Sequence, residues 1–182
     1  MRLGSPLGFA PVARATIAVL LLIQGVTFAQ DVTGPSLKAA YIYNFVKFTE
    51  WPAGAPAGGP FVMCVVGDTS VGDALERVVV GRVLGGGRAI VVSRLAPEAP
   101  KRPCHVVYVS GVAASQAGQQ ITGLRDSPVL TLSDVDGFME VGGIAQFFFE
   151  HGRLRFRIHL ESAKRAGLQI SSRLLALAET YD

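Results

Sequence analysis

The sequence predicts a single α/β domain whose mixed, mostly parallel sheet is flanked by helices and ends in a C-terminal β-hairpin. Short apolar runs without charge, at residues 61–67, 105–110 and 128–132, are typical of strands buried on both faces of a parallel sheet. Segments with helical spacing of apolar residues lie between them, which favours crossover units. Two later strand patterns, residues 144–149 and 153–159, are separated only by residues 150–152, which indicates a hairpin.

The N-terminal segment has the pattern of a secretory signal peptide. Residues 15–29 are apolar and uncharged, Arg2 and Arg14 precede them, and small residues close the run. The run is shorter than the roughly 20 apolar residues that cross a bilayer. We therefore expect cleavage near Ala29 and a mature, exported domain of residues 30–182. An uncleaved N-terminal anchor is the alternative.

The charge of the mature domain is nearly balanced. Fifteen of the 17 Lys and Arg residues and all 14 acidic residues follow Ala29, so its net charge is about +1. A nucleic-acid-binding protein usually carries a stronger basic excess. The domain remains rich in Val, Ile, Leu and Phe, which is typical of a globular protein. We therefore expect no nucleic-acid partner.

The first predicted element of the mature domain is a helix over residues 36–51, ended by Pro52. Its apolar and aromatic residues recur every three or four positions, which gives the helix one apolar face. The residue before a proline is biased away from helical geometry. Tyr43, Phe48 and Trp51 add more aromatic surface than one packed face needs. These side chains are candidates for a partner-binding surface, and packing in the core is the alternative.

The middle of the chain alternates strands and helices, and the last third is a hairpin followed by helix. Glycine and proline segments separate these elements. In chain order we expect strand 61–67, helix 72–80, an extended element 89–94, strand 105–110, helix 113–124, strand 128–132, hairpin strands 144–149 and 153–159, and helical segments 160–166 and 168–178.

Two cysteines, Cys64 and Cys104, lie at the edges of apolar runs. An even number of cysteines in a small exported domain suggests a disulfide, and two buried free thiols are the alternative. Two cysteines alone do not make a zinc site, and no histidine lies at ligand spacing from Cys64. His105 follows Cys104 directly, so on a strand the two side chains point to opposite faces. We expect no metal site.

A basic stripe is the sharpest candidate for a binding site. Its four members, Arg153, Arg155, Arg157 and His159, alternate with apolar residues and so share one face of a strand. Neighbouring guanidinium groups repel each other and need carboxylates, solvent or an anionic ligand. We expect Glu150, a further candidate binding residue beside the stripe, and Glu161 at its other end to supply part of this negative charge. A solvated outer face and a site for a small anion are both compatible with this pattern.

The sequence lacks the motifs of common enzymes. It contains no G-x-S-x-G elbow and no H-E-x-x-H helix. Its clustered glycines form neither G-x-G-x-x-G nor a phosphate loop that ends in lysine. We therefore expect no catalytic residues and no cofactor.

Five segments in order resemble the YfiR family of small exported bacterial proteins. They span Leu37 to Ala178 and read LKAAYIYNFVKFTEWP, CVVGD, CHVVYVS, PVLTLSDVDGF followed by GG, and RLRFRIHLESAKRAGLQISSRLLALA. The resemblance implies a periplasmic, non-catalytic α/β regulator that forms homodimers. Its implied partner is the periplasmic sensor domain of an inner-membrane diguanylate cyclase, or another membrane sensor. Holding that cyclase inactive would control cyclic di-GMP and biofilm formation.

The resemblance also bears on individual residues. It implies that Cys64 and Cys104 form a bridge, whereas the second cysteine pair of the family's namesake has no counterpart here. It also implies that Arg157 and His159 lie on the strand where members of the family bind small anionic or aromatic ligands. The alternative function is a free-standing periplasmic protein that binds a small anion on the stripe of Arg153, Arg155, Arg157 and His159.

Overall fold

The computed structural model describes residues 34–53, 55, 58–99 and 103–181. The predicted signal peptide, residues 1–29, lies outside the described residues. The helices are α1 (Gly34–Lys47), α2 (Thr69–Val79), α3 (Ala114–Ile121), α4 (Leu160–Arg165) and α5 (Ser172–Leu175). The strands are β1 (Thr49–Glu50), β2 (Phe61–Val66), β3 (Val83–Leu84), β4 (Arg88–Leu95), β5 (Val106–Val109), β6 (Leu130–Ser133), β7 (Ala145–Glu150), β8 (Arg153–Ile158), β9 (Gln169–Ile170) and β10 (Glu179–Thr180). Within these ranges, no helix has the length and hydrophobicity needed to cross a membrane.

Eight strands form one mixed sheet in the order β10-β8-β7-β6-β5-β2-β4-β3. The pairs from β4 through β2, β5 and β6 to β7 are parallel, and β7 and β8 form the antiparallel hairpin. The predicted α/β class, the mostly parallel sheet and the C-terminal hairpin are therefore confirmed. Strand β2 lies in the middle, and the chain leaves it first toward β4 and then returns on its other side as β5.

Alternate residues of β2 enter two separate cores. Phe61, Met63 and Val65 pack in the larger core with α1 and α2. Cys64 and Val66 pack in the smaller core with α3. This arrangement follows from the period of two along a strand, and it explains why β2 reads as a continuous apolar run rather than an alternating one.

Helix α1 ends at Lys47, four residues before the predicted end of this helix. The next residues instead form β1, where Thr49 pairs with Ile170 and Glu50 with Gln169 in a small antiparallel sheet. Pro52 therefore follows a strand rather than a helix. The pairing partner lies more than 100 residues away in the sequence, so local periodicity carried no signal for it.

The predicted helix over residues 168–178 is wrong for most of its length. The chain forms β9, the four-residue helix α5 and then β10, which pairs in parallel with β8. Ser171 begins α5, because its side chain accepts a hydrogen bond from the Arg173 backbone N–H at 3.3 Å. The flanking strands are only two residues long, and tertiary pairing rather than local propensity decides them.

A disulfide joins Cys64 of β2 to Cys104, which precedes β5. The two strands are neighbours, and the two Cα atoms are 5.8 Å apart. Both residues are buried in the smaller core. The predicted bridge is confirmed, and it crosslinks two central strands of the sheet.

Gly67 allows the loop after β2 to lie directly against the loop after β5. Its φ is +98°, and a Cβ built on it would lie 1.9 Å from the Ser110 carbonyl oxygen. The Asp68 backbone N–H donates to Ser110 Oγ at 3.2 Å, which fastens the same contact. Any side chain at position 67 would separate the two loops.

Replacing both cysteines by alanine should lower the thermal stability markedly. A bridge across a sequence separation of 40 restricts the unfolded chain by about 3–4 kcal/mol. For a domain of this size that corresponds to a fall in Tm of roughly 10 °C. Calorimetry of the Cys64→Ala, Cys104→Ala protein measures it. A reductant should lower the Tm of the wild type and leave that of the double variant unchanged, and an unchanged wild-type Tm would contradict the bridge.

Gly67→Ala should destabilise the domain more than the same change at Gly81. Both glycines have positive φ, but a Cβ at Gly81 meets nothing within 4 Å. Gly81→Ala therefore carries only the backbone cost, about 1 kcal/mol. Gly67→Ala adds a clash with backbone and should cost about 3 kcal/mol or more. Urea unfolding compares the two variants, and equal losses would show that the loop contact is unimportant.

Candidate functional site

The three arginines of the basic stripe lie on one face of β8, as the sequence pattern predicts. Leu154, Phe156 and Ile158 are buried on the opposite face. Arg153 and Arg155 are exposed and Arg157 is half-buried. The stripe is thus presented by a strand whose other face is anchored in the larger core.

Carboxylates of the same chain pair with two of the stripe's guanidinium groups. Arg155 Nη2 lies 3.1 Å from Glu150 Oε2, and Arg157 Nε donates to Glu179 Oε2 at 3.2 Å. The Arg157 guanidinium also lies 4.3 Å from the centre of the Phe148 ring. Such exposed pairs add little to stability. They do neutralise positive charge on the stripe, for which the sequence was compatible with an anionic ligand. Glu150 was expected in this role, whereas Glu179 was not.

His159 does not continue the stripe, because β8 ends at Ile158. Instead it begins helix α4, where its Nδ1 accepts the Ser162 backbone N–H at 3.2 Å. Its ring centre lies 5.6 Å from that of Tyr181. Glu161 pairs with Lys164 at 2.7 Å rather than with the stripe. The hydrogen bond from Lys164 lowers the pKa of the Glu161 carboxyl group below its ordinary value.

His159 lines a cavity of about 260 Å³, which we call the C-terminal pocket. It lies where the end of β8 meets α4, α5 and β10. Its lining residues are Ile158, His159, Leu160, Glu161, Leu175, Ala178, Glu179 and Tyr181. Desolvation and, to a smaller extent, the Glu140 carboxylate raise the pKa of the Tyr181 phenol. Its two carboxylates are already paired, Glu161 with Lys164 and Glu179 with Arg157, so its two aromatic rings favour a ligand with an aromatic body and its charge selects neither sign.

The candidate partner residues of α1 and the segment after it do not form one exposed patch. Tyr43, Phe48 and Trp51 are all half-buried and pack against the larger core. Tyr43 and Trp51 line a groove of about 440 Å³, which we call the basic groove: Tyr43, Val46, Lys47, Thr49, Trp51, Phe61, Val83, Leu84, Gly85 and Arg88. Phe48 lines a different one of about 270 Å³, the apolar groove: Tyr41, Asn44, Phe48, Phe156, Arg173, Leu174 and Leu177.

Comparison with known protein families identifies the domain. A family model described as YfiR/HmsC-like matches residues 35–179, nearly the whole described domain. The chain belongs to the YfiR/HmsC-like family. The resemblance seen in the sequence is therefore confirmed.

Among solved structures with a similar fold is one that shows the extent of the likeness. It is the crystal structure of a conserved domain protein from Vibrio cholerae O1 biovar El Tor str. N16961, with a TM-score of 0.54 and 14% sequence identity. The match covers 82% of this chain and 60% of that chain. The present chain thus spans less than two thirds of the Vibrio protein, and at this identity the likeness shows the fold alone.

The YfiR/HmsC-like domain also has a polar cluster that sequence reasoning missed. It lies at the carboxyl ends of β2, β5 and β6, beside the point where the chain order reverses, which is where open α/β sheets commonly bind ligands. Lys38 of α1 forms an ion pair with Asp134 there. Burial and the nearby Asp134 carboxylate hold the pKa of the Tyr108 phenol well above its usual range. The signal for this cluster in the sequence was the polar residues that directly follow the apolar strands β2, β5 and β6.

The contact between the loops after β2 and β5 fills the place beside this cluster where a cleft would otherwise lie. Gly67 and Ser110 touch across the place where a crevice would open. Asp68 begins α2 by accepting the Ser70 backbone N–H at 2.8 Å. Hydrogen bonding from the Ser70 side chain, with a smaller contribution from its backbone N–H, lowers the pKa of the Asp68 carboxyl group. The cluster therefore stabilises the strand ends.

His159→Ala should lower the free energy of unfolding by about 1 kcal/mol, because it removes the acceptor that begins α4. His159→Asn restores a short acceptor at that position and should recover most of the loss. Urea unfolding of the two variants measures this. Equal destabilisation by Ala and Asn would contradict the capping role.

Proposed function

We propose that this YfiR/HmsC-like domain is a periplasmic regulator of an inner-membrane diguanylate cyclase. It binds the periplasmic sensor domain of that enzyme and holds the enzyme inactive. Release raises cyclic di-GMP and favours biofilm growth. The family match over residues 35–179 carries the proposal, and the Cys64–Cys104 disulfide supports export to an oxidising compartment.

The proposed mechanism is a shift between two conformations of the cyclase. The domain binds the inactive conformation more tightly, so its binding draws the enzyme into that state. Changing the active population from 99% to 1% requires about 5.5 kcal/mol of differential binding. A signal works by changing the affinity of the regulator, through its ligand state or through the homodimer that the family resemblance implies.

We assign the partner contact to the apolar groove, which contains Phe48. Leu177 stands at this groove with 70% of its surface exposed. Arg173 is the charged residue among the groove's lining side chains. Protein interfaces are typically rich in exposed apolar and aromatic residues together with arginine, and the apolar groove has this composition. The sensor domain is the occupant that the proposed function requires.

A second candidate function is that of a free-standing periplasmic ligand-binding protein. The C-terminal pocket favours it, because His159 and Tyr181 provide aromatic surface beside two carboxylates. A small aromatic compound fits this chemistry, since both carboxylates are already paired with cations of the same chain. The stripe itself is less suited to an anion than its sequence indicates, because Arg155 and Arg157 are paired with carboxylates.

Deleting the gene should raise cellular cyclic di-GMP, and expression of the wild-type protein should restore the original level. Leu177→Lys should fail to restore it and should lose capture of the cyclase from the membrane fraction, because it places a charge in the apolar groove. Val80→Lys is the matched control, since Val80 is 77% exposed but lies outside that groove. Unchanged cyclic di-GMP after deletion would count against the regulatory function. Equal behaviour of the two lysine variants would count against the assigned surface.

A further inference from the structure

We propose that the basic groove is a binding site for a small organic anion with a flat, apolar body, such as an aromatic carboxylate. The groove lies between the end of α1, the segment that follows it, and the β3–β4 edge of the sheet. The proposal does not rest on the regulatory function, and it concerns a different place in the fold from the C-terminal pocket.

The walls of the groove suit a flat apolar body. The Trp51 and Phe61 rings meet edge to face, with their centres 5.0 Å apart. Tyr43 contributes a third ring, and Val83 and Leu84 supply aliphatic surface from the β3 edge. Its volume of about 440 Å³ falls within the range usual for small-molecule sites, which are mostly apolar with a few placed polar groups.

The charge of the groove selects an anion. Lys47 and Arg88 line it, and the Arg82 guanidinium lies 4.8 Å from the centre of the Tyr43 ring. Arg88 is held in place, since it donates to the carbonyl oxygens of Gly59 at 3.0 Å and Pro60 at 3.3 Å. Among the described residues that line the groove, none is acidic. Cations gathered around a partly desolvated apolar surface attract negative charge and repel positive charge.

Two buried hydrogen-bonding groups in this wall lack a partner. Within the described part of the chain, Thr49 Oγ1 and Trp51 Nε1 have no hydrogen-bond partner, and Thr49 is only 6% exposed. An indole N–H can only donate, and an ionised carboxylate can only accept. Buried groups of this kind are normally satisfied, and exceptions often mark sites for water or ligand. A carboxylate bound in the groove would bring hydrogen-bond acceptors beside Thr49 and Trp51, which both line it.

The contrast with the C-terminal pocket sharpens the assignment. The carboxylates in that pocket, Glu161 and Glu179, are paired with cations of the same chain, whereas the basic groove has Lys47 and Arg88 and no acidic residue among its described lining. Two compounds with the same ring and opposite charge therefore test whether the basic groove selects its ligand by charge. Phenylacetate is the anionic probe and phenethylamine is the cationic one.

The fluorescence of Trp51 reports the occupancy of the groove directly, because it is the chain's only tryptophan. Titration with phenylacetate should change the Trp51 emission with a saturable curve, and the apparent affinity should fall as salt is added. Phenethylamine should leave the emission unchanged at the same concentrations. The proposal is overturned if phenylacetate has no effect up to millimolar concentration, or if the two probes act alike.

Matched variants test the charge. Lys47→Gln should weaken phenylacetate binding about two- to fivefold, as expected for loss of one partly exposed charge. Arg77→Gln is the control, because Arg77 is likewise an exposed basic residue in the last turn of its helix and lies outside the groove lining. If both variants weakened phenylacetate binding equally, the effect would come from the net charge of the protein, and the assignment of the site to the groove would be overturned.

Thr49→Val tests the unpartnered hydroxyl with a side chain of the same shape. Its Tm should stay the same or rise, because the variant removes a buried polar group without a partner. Its affinity for phenylacetate should fall severalfold, since the acceptor of the ligand loses a donor. A lower Tm with unchanged affinity would mean that Thr49 is purely structural and would contradict its place in the site.

Discussion

The pairing of β2 with a strand on each side is the constraint on which the rest of the domain depends. Its residues pair with β4 along one edge and with β5 along the other, while its alternate side chains enter two cores. Because β2 has a strand on each edge and a core on each face, a polar side chain on it would be buried away from water. Cys64 satisfies this requirement as an apolar residue and also ties β2 to the start of β5 covalently.

This rigid centre explains where the functional surfaces lie. The carboxyl ends of β2 and β5, the usual ligand site of such sheets, are closed by the contact between Gly67 and Ser110. The basic groove and the C-terminal pocket lie instead at the margins of the domain, where α1 meets β3 and β4 and where β8 meets α4 and α5. The short elements at these margins, β3, α4 and α5, and the loops beside them vary more easily than a central strand.

The residues show which parts of this picture a sequence can reveal. The hairpin of β7 and β8 was predictable, because Leu154, Phe156 and Ile158 repeat with a period of two and are buried together. The bridge was predictable because both cysteines flank apolar runs. The sequence also correctly placed Arg155 and Arg157 on one face. It did not reveal Glu179 as the partner of Arg157, since β10 exists only through pairing with β8. The positive charge of the basic groove depends on such distant neighbours, Lys47 and Arg88, and was likewise beyond sequence reasoning.

The two ends of the large sheet are the two-residue strands β3 and β10. Among the described residues, β3 pairs with only Arg88 and Ala89 of β4, and β10 with only Arg157 and Ile158 of β8, so most of the outer edge of both longer strands has no strand partner. Charged side chains along such edges, here arginines on both strands, are one way in which sheet proteins avoid pairing with another copy. For a protein that acts by reversible binding, as proposed, this protection is important, because polymerisation through unpaired strands is difficult to reverse.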